Sequence, residues 1–303
     1  MARQRSLGIS AVAYATVVWG LLPVVLKQLE MPTLAFATYR LWFGVLVYAG
    51  ALLLVRRRLR WDVVRVCWPG GVLFAADLVL TFNAFRITSA ANSTIIGAIA
   101  PVFIALGAAR WFGESFGRRE AALMAASIAG VALVAVGSFG SPSWVPIGDL
   151  FAALSVLSWT AYWLFSKRVR TQLRVGTLEY MTTVIVFASV AVTALTLAAG
   201  VSLAPPEGAD WVWLAYTTVV SGAAGHLALA WSHRHLEAWL GSLVMQSVPV
   251  VAVASAWILL GEAMSPLSIV GGMVVLAATG AIVVRERFGG RPEEEPTAPA
   301  AIG

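Results

Sequence analysis

Residues 86–114 read RITSAANSTIIGAIAPVFIALGAARWFGE, and residues 234–262 read RHLEAWLGSLVMQSVPVVAVASAWILLGE. Slid by 148 positions without a gap, they match at Arg86/Arg234, Ala90/Ala238, Pro101/Pro249, Val102/Val250, Ala108/Ala256, Gly113/Gly261 and Glu114/Glu262. Alanine and valine matches carry little in so apolar a chain, but a proline followed twelve residues later by Gly-Glu does. Working outward, a second echo lies at offset 140, where GISAVAYATVVWG (8–20) meets GDLFAALSVLSWT (148–160) and shares Gly8/Gly148, Trp19/Trp159 and, beyond, Lys27/Lys167. Two halves of about 140 residues therefore carry one plan.

Composition names the solvent. Of 303 residues 59% are hydrophobic and 12% charged, and the mean hydropathy is +0.83. A soluble domain needs more polar surface than that. The pI near 10 does not signal nucleic acid, because the basic residues fall in short runs between apolar segments, as in loops beside a membrane. A lone cysteine, Cys67, forms no internal disulfide and leaves no cysteine-based metal site. The run from Gly8 to Leu26 is too long for a typical signal peptide and has a counterpart at Gly148, so it reads as a retained helix.

Crossing ~30 Å of hydrocarbon takes ~20 apolar residues. Ten stretches qualify: 8–26, 33–55, 66–85, 91–110, 119–137, 148–166, 178–199, 210–232, 238–260 and 266–284. Residues 1–7 form a cytoplasmic N-terminus, 8–137 and 148–284 the two repeats, 138–147 a linker, and 285–303 a polar, Pro/Gly-rich cytoplasmic tail expected to be disordered. Of the 21 Lys and Arg residues, eighteen fall in one set of alternate connections. Only Lys27 and Arg86 fall in the other set, and Arg40 lies inside a span. This bias puts both termini in the cytoplasm. Each repeat holds an odd number of spans, so the second crosses in the opposite sense to the first. The expected fold is all-α and integral to the membrane: ten helices as two five-helix inverted-topology repeats, a construction suited to alternating access around a midplane site.

The TSAANSTIIGAIAPVF run with Gly113-Glu114, the MQSVPVVAVASAWILLGE run with Gly261-Glu262, and GDLFAALSVLSW resemble the drug/metabolite transporter superfamily in its ten-helix EamA-type branch. The likeness covers nearly all of 8–284 and says almost nothing about substrate. It implies a basket-like bundle with peripheral fifth and tenth helices, and export of amino acids or other small metabolites. Asp77 departs from it, standing where the family usually has apolar or small residues.

Asp77 and His226 lead the candidate residues, because an ionisable group in the hydrocarbon normally faces a cavity or a partner. Under the 148 offset Asp77 falls opposite Gly225, next to His226, so both are expected at similar depth near a pseudo-twofold axis. Asp77 is read as acceptor of a substrate ammonium or a coupling proton, with His226 as its hydrogen-bond or proton partner. The competing reading buries both in packed interfaces. Thr81 lies one turn beyond Asp77 on the same face. Arg40, roughly 10 Å deep, reads as a structural or gating residue ahead of a carboxylate clamp. With Asp77 in one cavity it would suit a zwitterion. Gln246 faces a cavity or another helix. Trp19, Trp159, Tyr162 and Trp163 pack or line an apolar pocket. Pro101 and Pro249 are expected to kink equivalent helices, and the Gly-Glu motifs to be turn chemistry, with Ser capping the next helix and Pro266 in its first turn.

His226, His233 and His235 match no metal-binding spacing, so no metal or cofactor is expected. No nucleotide-binding loop appears. The expected protein is a bacterial inner-membrane secondary exporter, not an enzyme, with lipid and a small metabolite as partners and no nucleic acid. The alternatives are an intramembrane enzyme on lipid-linked substrates, using Asp77 and His226 as an acid–base pair, and a non-transporting sensor.

Overall fold

The structure, a computed structural model, describes residues 2–140 and 145–288. Among them the regular elements are all helical, and ten stretches are long and apolar enough to span a membrane. The first span is α1 (Ala2–Gly20) with α2 (Leu22–Lys27). The second is α3 (Thr33–Leu54), the third α4 (Trp61–Ile87), and the fourth α5 (Ala90–Gly97) with α6 (Ala100–Phe112). The fifth is α7 (Arg118–Phe139), the sixth α8 (Pro146–Thr171) and the seventh α9 (Thr177–Ala198). The eighth runs through α10 (Asp210–Tyr216), a π-helical stretch (Thr217–Ala224) and α11 (Gly225–Ser232). The ninth is α12 (Ala238–Met245) with α13 (Val248–Leu260), and the tenth α14 (Pro266–Phe288).

Several ends extend past the expected bounds. Helix α1 includes Arg3 and Arg5, where residues 1–7 read as a polar terminus, and α14 carries Arg285 and Arg287 past the expected start of the tail. Apolar length marks where hydrocarbon begins, whereas backbone hydrogen bonding continues until a breaker intervenes. Most of the tail, and residues 141–144 of the linker 138–147, lie outside the described residues.

The two prolines break their helices where kinks were expected. Pro101 and Pro249 each occupy the second residue of a new helix, α6 and α13, a position that tolerates a missing N–H. On either side of Pro101 the amides of Ile99 and Val102 bond to the carbonyls of Ile96 and Ile99, three residues back. Ahead of Pro249 those of Gln246 and Ser247 shift to Leu243 and Val244. Each break separates a helix of 8 residues from one of 13, at the same offset of 148. Gly113 and Gly261 end the two longer pieces at φ +66° and +68°, a left-handed turn that favours glycine. The expected capping by Ser holds only for Ser265, which accepts the Ser268 amide at 3.1 Å. Ahead of α7, Glu120 instead accepts the Gly117 amide at 2.8 Å.

Most of the packing joins one half to the other. Helix α1 lies against α11, α12 and α13, while α8 lies against their counterparts α4, α5 and α6. The pairs α3–α9 and α7–α14 join counterparts directly, and α6–α12 joins the fourth span to its counterpart, the ninth. Glycines bring α7 and α14 together: a Cβ on Gly271 would sit 2.5 Å from the Gly130 carbonyl oxygen, and one on Gly130 2.8 Å from that of Gly271. Such close backbone approach is how helices gain packing where lipid offers no hydrophobic contrast.

Candidate functional site

A cavity of about 370 Å³ opens where the two broken helices meet α1, α4 and α8. That is the volume of a small-metabolite site. It lies toward the face away from the N-terminus: on α8 it spans Ala152 to Trp163, and on α4 it reaches Thr81 and Ala84, close to the helix end at Ile87. Below it, Trp163, Leu240, Ile104, Ala108 and Ile9 form a packed apolar plug.

Of the expected site residues, Trp19, Thr81, Pro101, Trp159, Trp163, Gln246 and Pro249 line this cavity. Two contacts join residues at corresponding positions of the halves. The Trp19 and Trp159 rings meet edge-on at 6.2 Å. Gln246 Nε2 donates to the Ala98 carbonyl oxygen at 2.9 Å, a carbonyl at the break ahead of Pro101.

Asp77 stands behind the cavity wall. The Ser155 hydroxyl donates to Asp77 Oδ1 at 2.8 Å. Thr81 Oγ1 lies 2.7 Å from Ser155 Oγ and 3.5 Å from Asp77 Oδ1. Ser155 has one proton and gives it to Asp77, so Thr81 donates to Ser155. The hydroxyl pair thereby carries the carboxylate's negative character to the cavity surface. No described residue donates to Asp77 Oδ2, and the side chain is only partly buried. Elsewhere on the lining, Ser93 Oγ and Trp163 Nε1 are buried without a protein partner.

His226 and Arg40 are brought to each other instead. They line a separate cleft of about 10 Å³ with Tyr48, Phe74 and Thr218. The His226 ring is sandwiched between Trp19 at 4.6 Å and Phe74 at 4.9 Å, and no hydrogen bond joins it to Asp77. The π-helical stretch organises this region. Such stretches often mark functional sites, and four of its carbonyls also accept bonds from first-half side chains. Arg40 Nε donates to Thr217 at 3.1 Å, Tyr14 to Val220 at 3.2 Å, Trp19 Nε1 to Ser221 at 2.8 Å and Tyr48 to Ala223 at 2.8 Å. Arg40 is thus held by backbone. Sequence reasoning passed over Ser155, Ser93 and the π stretch. The cluster of Thr217, Thr218, Ser221 and Gly222 in an otherwise apolar span was the available signal.

Among the described residues no three His, Cys, Asp or Glu side chains gather as a metal site. His233 Nδ1 pairs with Ser166 Oγ at 2.8 Å, and His235 Nδ1 with the Trp231 carbonyl at 3.0 Å.

The chain matches the EamA-like transporter family over residues 6–136 and again over 146–284. It is 26% identical to a probable terminal-alkyne amino-acid exporter of Streptantibioticus cattleyicolor, over 83% of this chain and 82% of that protein. It is 23% identical to the uncharacterized transporter YdfC of Bacillus subtilis, over 79% and 78%. A solved crystal structure superposes with a TM-score of 0.80 at 18% identity, covering 94% of this chain and 99% of its own; that likeness establishes the shared fold.

Proposed function

The chain belongs to the EamA-like transporter family and is a multi-pass membrane transporter; we propose that it exports amino acids or related small amines from a bacterial cell by alternating access. Residues 8–137 and 148–284 act as two repeats of opposite orientation, with both termini cytoplasmic. The contacts between corresponding residues, Trp19 with Trp159 and Ala98 with Gln246, support an axis through the cavity relating the halves. An exchange of conformation between halves would then open the cavity to either face in turn.

The observation that carries the substrate class is Asp77, whose Oδ2 lacks a protein donor behind the Thr81 and Ser155 hydroxyls. A carboxylate in the span needs a compensating cation, and a substrate ammonium or a coupling proton supplies it. For a zwitterion, the unpartnered Ser93 hydroxyl and Trp163 indole N–H would receive the carboxylate. Neutral donors thereby take the part that the sequence offered to Arg40. An amino-acid exporter among the relatives fits this reading. An intramembrane enzyme would need Asp77 and His226 as an acid–base pair, and no hydrogen bond joins them.

The test is uptake or counterflow of radiolabelled amino acids and primary amines in proteoliposomes. Saturable transport of an amine-bearing compound, with its apparent affinity sharply reduced in Asp77→Asn, is the expected result. Transport confined to compounds without an amino group would overturn the substrate assignment. Tags on both chain ends that prove accessible from opposite faces would overturn the topology.

A further inference from the structure

The cavity lies toward the face away from the N-terminus, and one ion pair stands toward each face. Glu114 and Glu262 follow the paired left-handed glycines, and each amide returns to a carbonyl six residues back, Ala108 and Ala256, at 3.3 Å in both. The two carboxylates therefore leave their helices with one geometry. Each crosses to a lysine in the first span of the other half. Glu114 meets Lys167 at 2.5 Å, and Glu262 meets Lys27. Lys27 and Lys167 each lie eight residues past the paired Trp19 and Trp159. The two bridges are thus counterparts, one beneath the cavity and one at the opposite face.

Their surroundings differ. The Lys167 and Glu114 side chains are 8% and 9% exposed, whereas Lys27 and Glu262 are 52% and 46% exposed. The buried bridge is woven into the backbone. Glu114 Oε2 accepts the Ala238 amide at 2.7 Å, capping α12, and Lys167 Nζ donates to the Leu236 carbonyl at 2.6 Å. The adjacent Arg5–Glu237 pair ties α1 to the same turn. The exposed bridge makes no such backbone bonds. Lys167 lies one helical turn beyond Trp163, at the closed end of the cavity.

We infer that Glu114–Lys167 and Glu262–Lys27 are the two gates of the transport cycle, the first locked and the second released in this structure. In the opposite state the assignments exchange. Glu262 then caps the turn at Ala90, the counterpart of Ala238, and Lys27 reaches the Thr88 carbonyl, the counterpart of Leu236. The Glu114–Lys167 network loosens in turn. Burial decides which gate holds. A desolvated, fully hydrogen-bonded pair is strongly weakened by loss of one partner, whereas an exposed pair contributes little.

This inference rests on the alternating-access reading, and sided cysteine labelling separates the two. Gly97 lines the cavity, and a side chain there meets nothing within 4 Å. In a Cys67→Ala background, Gly97→Cys is labelled in proteoliposomes with a membrane-impermeant maleimide from either face. The parent labels mainly from the face away from the N-terminus. Glu114→Gln is expected to raise labelling from the N-terminal face about tenfold or more. The double variant Glu114→Gln/Lys167→Met, which leaves no unpaired charge, is expected to shift it the same way. Glu262→Gln should change the ratio by less than about twofold. A face ratio unchanged in the single and double variants, in protein that still transports, overturns the gate assignment and leaves alternating access standing. Labelling from one face alone in the parent and every variant, without transport, overturns both.

Discussion

Gln246 Nε2 lies 2.9 Å from the carbonyl oxygen of Ala98, and these two residues hold the same place in the two halves, 148 positions apart. The axis proposed to relate the two halves would pass close to such a pair. The bond has a local cause as well. Pro101 disturbs the amide pattern ahead of α6, leaving the Ala98 carbonyl to a side chain, and the matching break ahead of Pro249 delivers Gln246 to it.

Replacing Gln246 with Leu leaves that buried carbonyl without its donor. The expected loss of stability is about 1–3 kcal/mol, read as a lower midpoint of thermal unfolding in detergent. Transport should slow as well, because the bond joins the broken helices across the cavity. An unchanged midpoint with unchanged transport would show that the contact between the halves does no mechanical work.

Asp77→Asn keeps the shape of the side chain and its hydrogen bond from Ser155 but removes the charge. Apparent affinity for an amine substrate is expected to fall about tenfold or more, with expression and elution profile intact. Ser155→Ala, which removes the hydroxyl relay and keeps the carboxylate, should give a smaller rise in KM. Kinetics in proteoliposomes distinguish the two. Equal effects of both variants would argue that Asp77 only anchors α4 to α8.

Gly271→Ala places a methyl group 2.5 Å from the Gly130 carbonyl oxygen, so α7 and α14 must part. Overpacking of this kind costs about 1–3 kcal/mol. The melting midpoint should drop while substrate affinity stays unchanged, because neither glycine lines the cavity. A shift in substrate affinity would place this helix pair inside the transport mechanism.

His233 supplies a pH dependence. Burial first, then the neighbouring Lys167 and Arg170 charges, hold its imidazole well below the ordinary 6.5. Above pH 6.5 the ring is neutral in folded and unfolded chains alike and adds nothing. As pH falls below that value the unfolded chain takes up a proton that the folded one refuses. Stability therefore declines by up to about 1.4 kcal/mol per pH unit. Melting curves between pH 8 and 5 should show this decline, and His233→Gln should flatten it. A variant that melts along the parent's curve would remove His233 from the pH response.

The sequence by itself determined ten spans, their duplication and the helix breaks at Pro101 and Pro249. Each follows from a constraint written along the chain: ~20 apolar residues to cross the hydrocarbon, a proline that cannot continue a helix, and a glycine that can turn left-handed. Only the tertiary structure decided who meets whom. Arg40 and Asp77, offered together for a zwitterion, stand apart: Arg40 lines the small cleft beside His226, and Asp77 lies behind the wall of the larger cavity. Ser155 joins Asp77 from a helix far along the chain, and the Gly-Glu motifs place carboxylates that reach lysines in the other half. The physical reason is that lipid-facing and protein-facing sides of a membrane helix are both apolar. Hydrophobic periodicity, which tells a soluble helix which way to face, is therefore nearly silent here, and rotation about each helix axis is settled by packing between the halves.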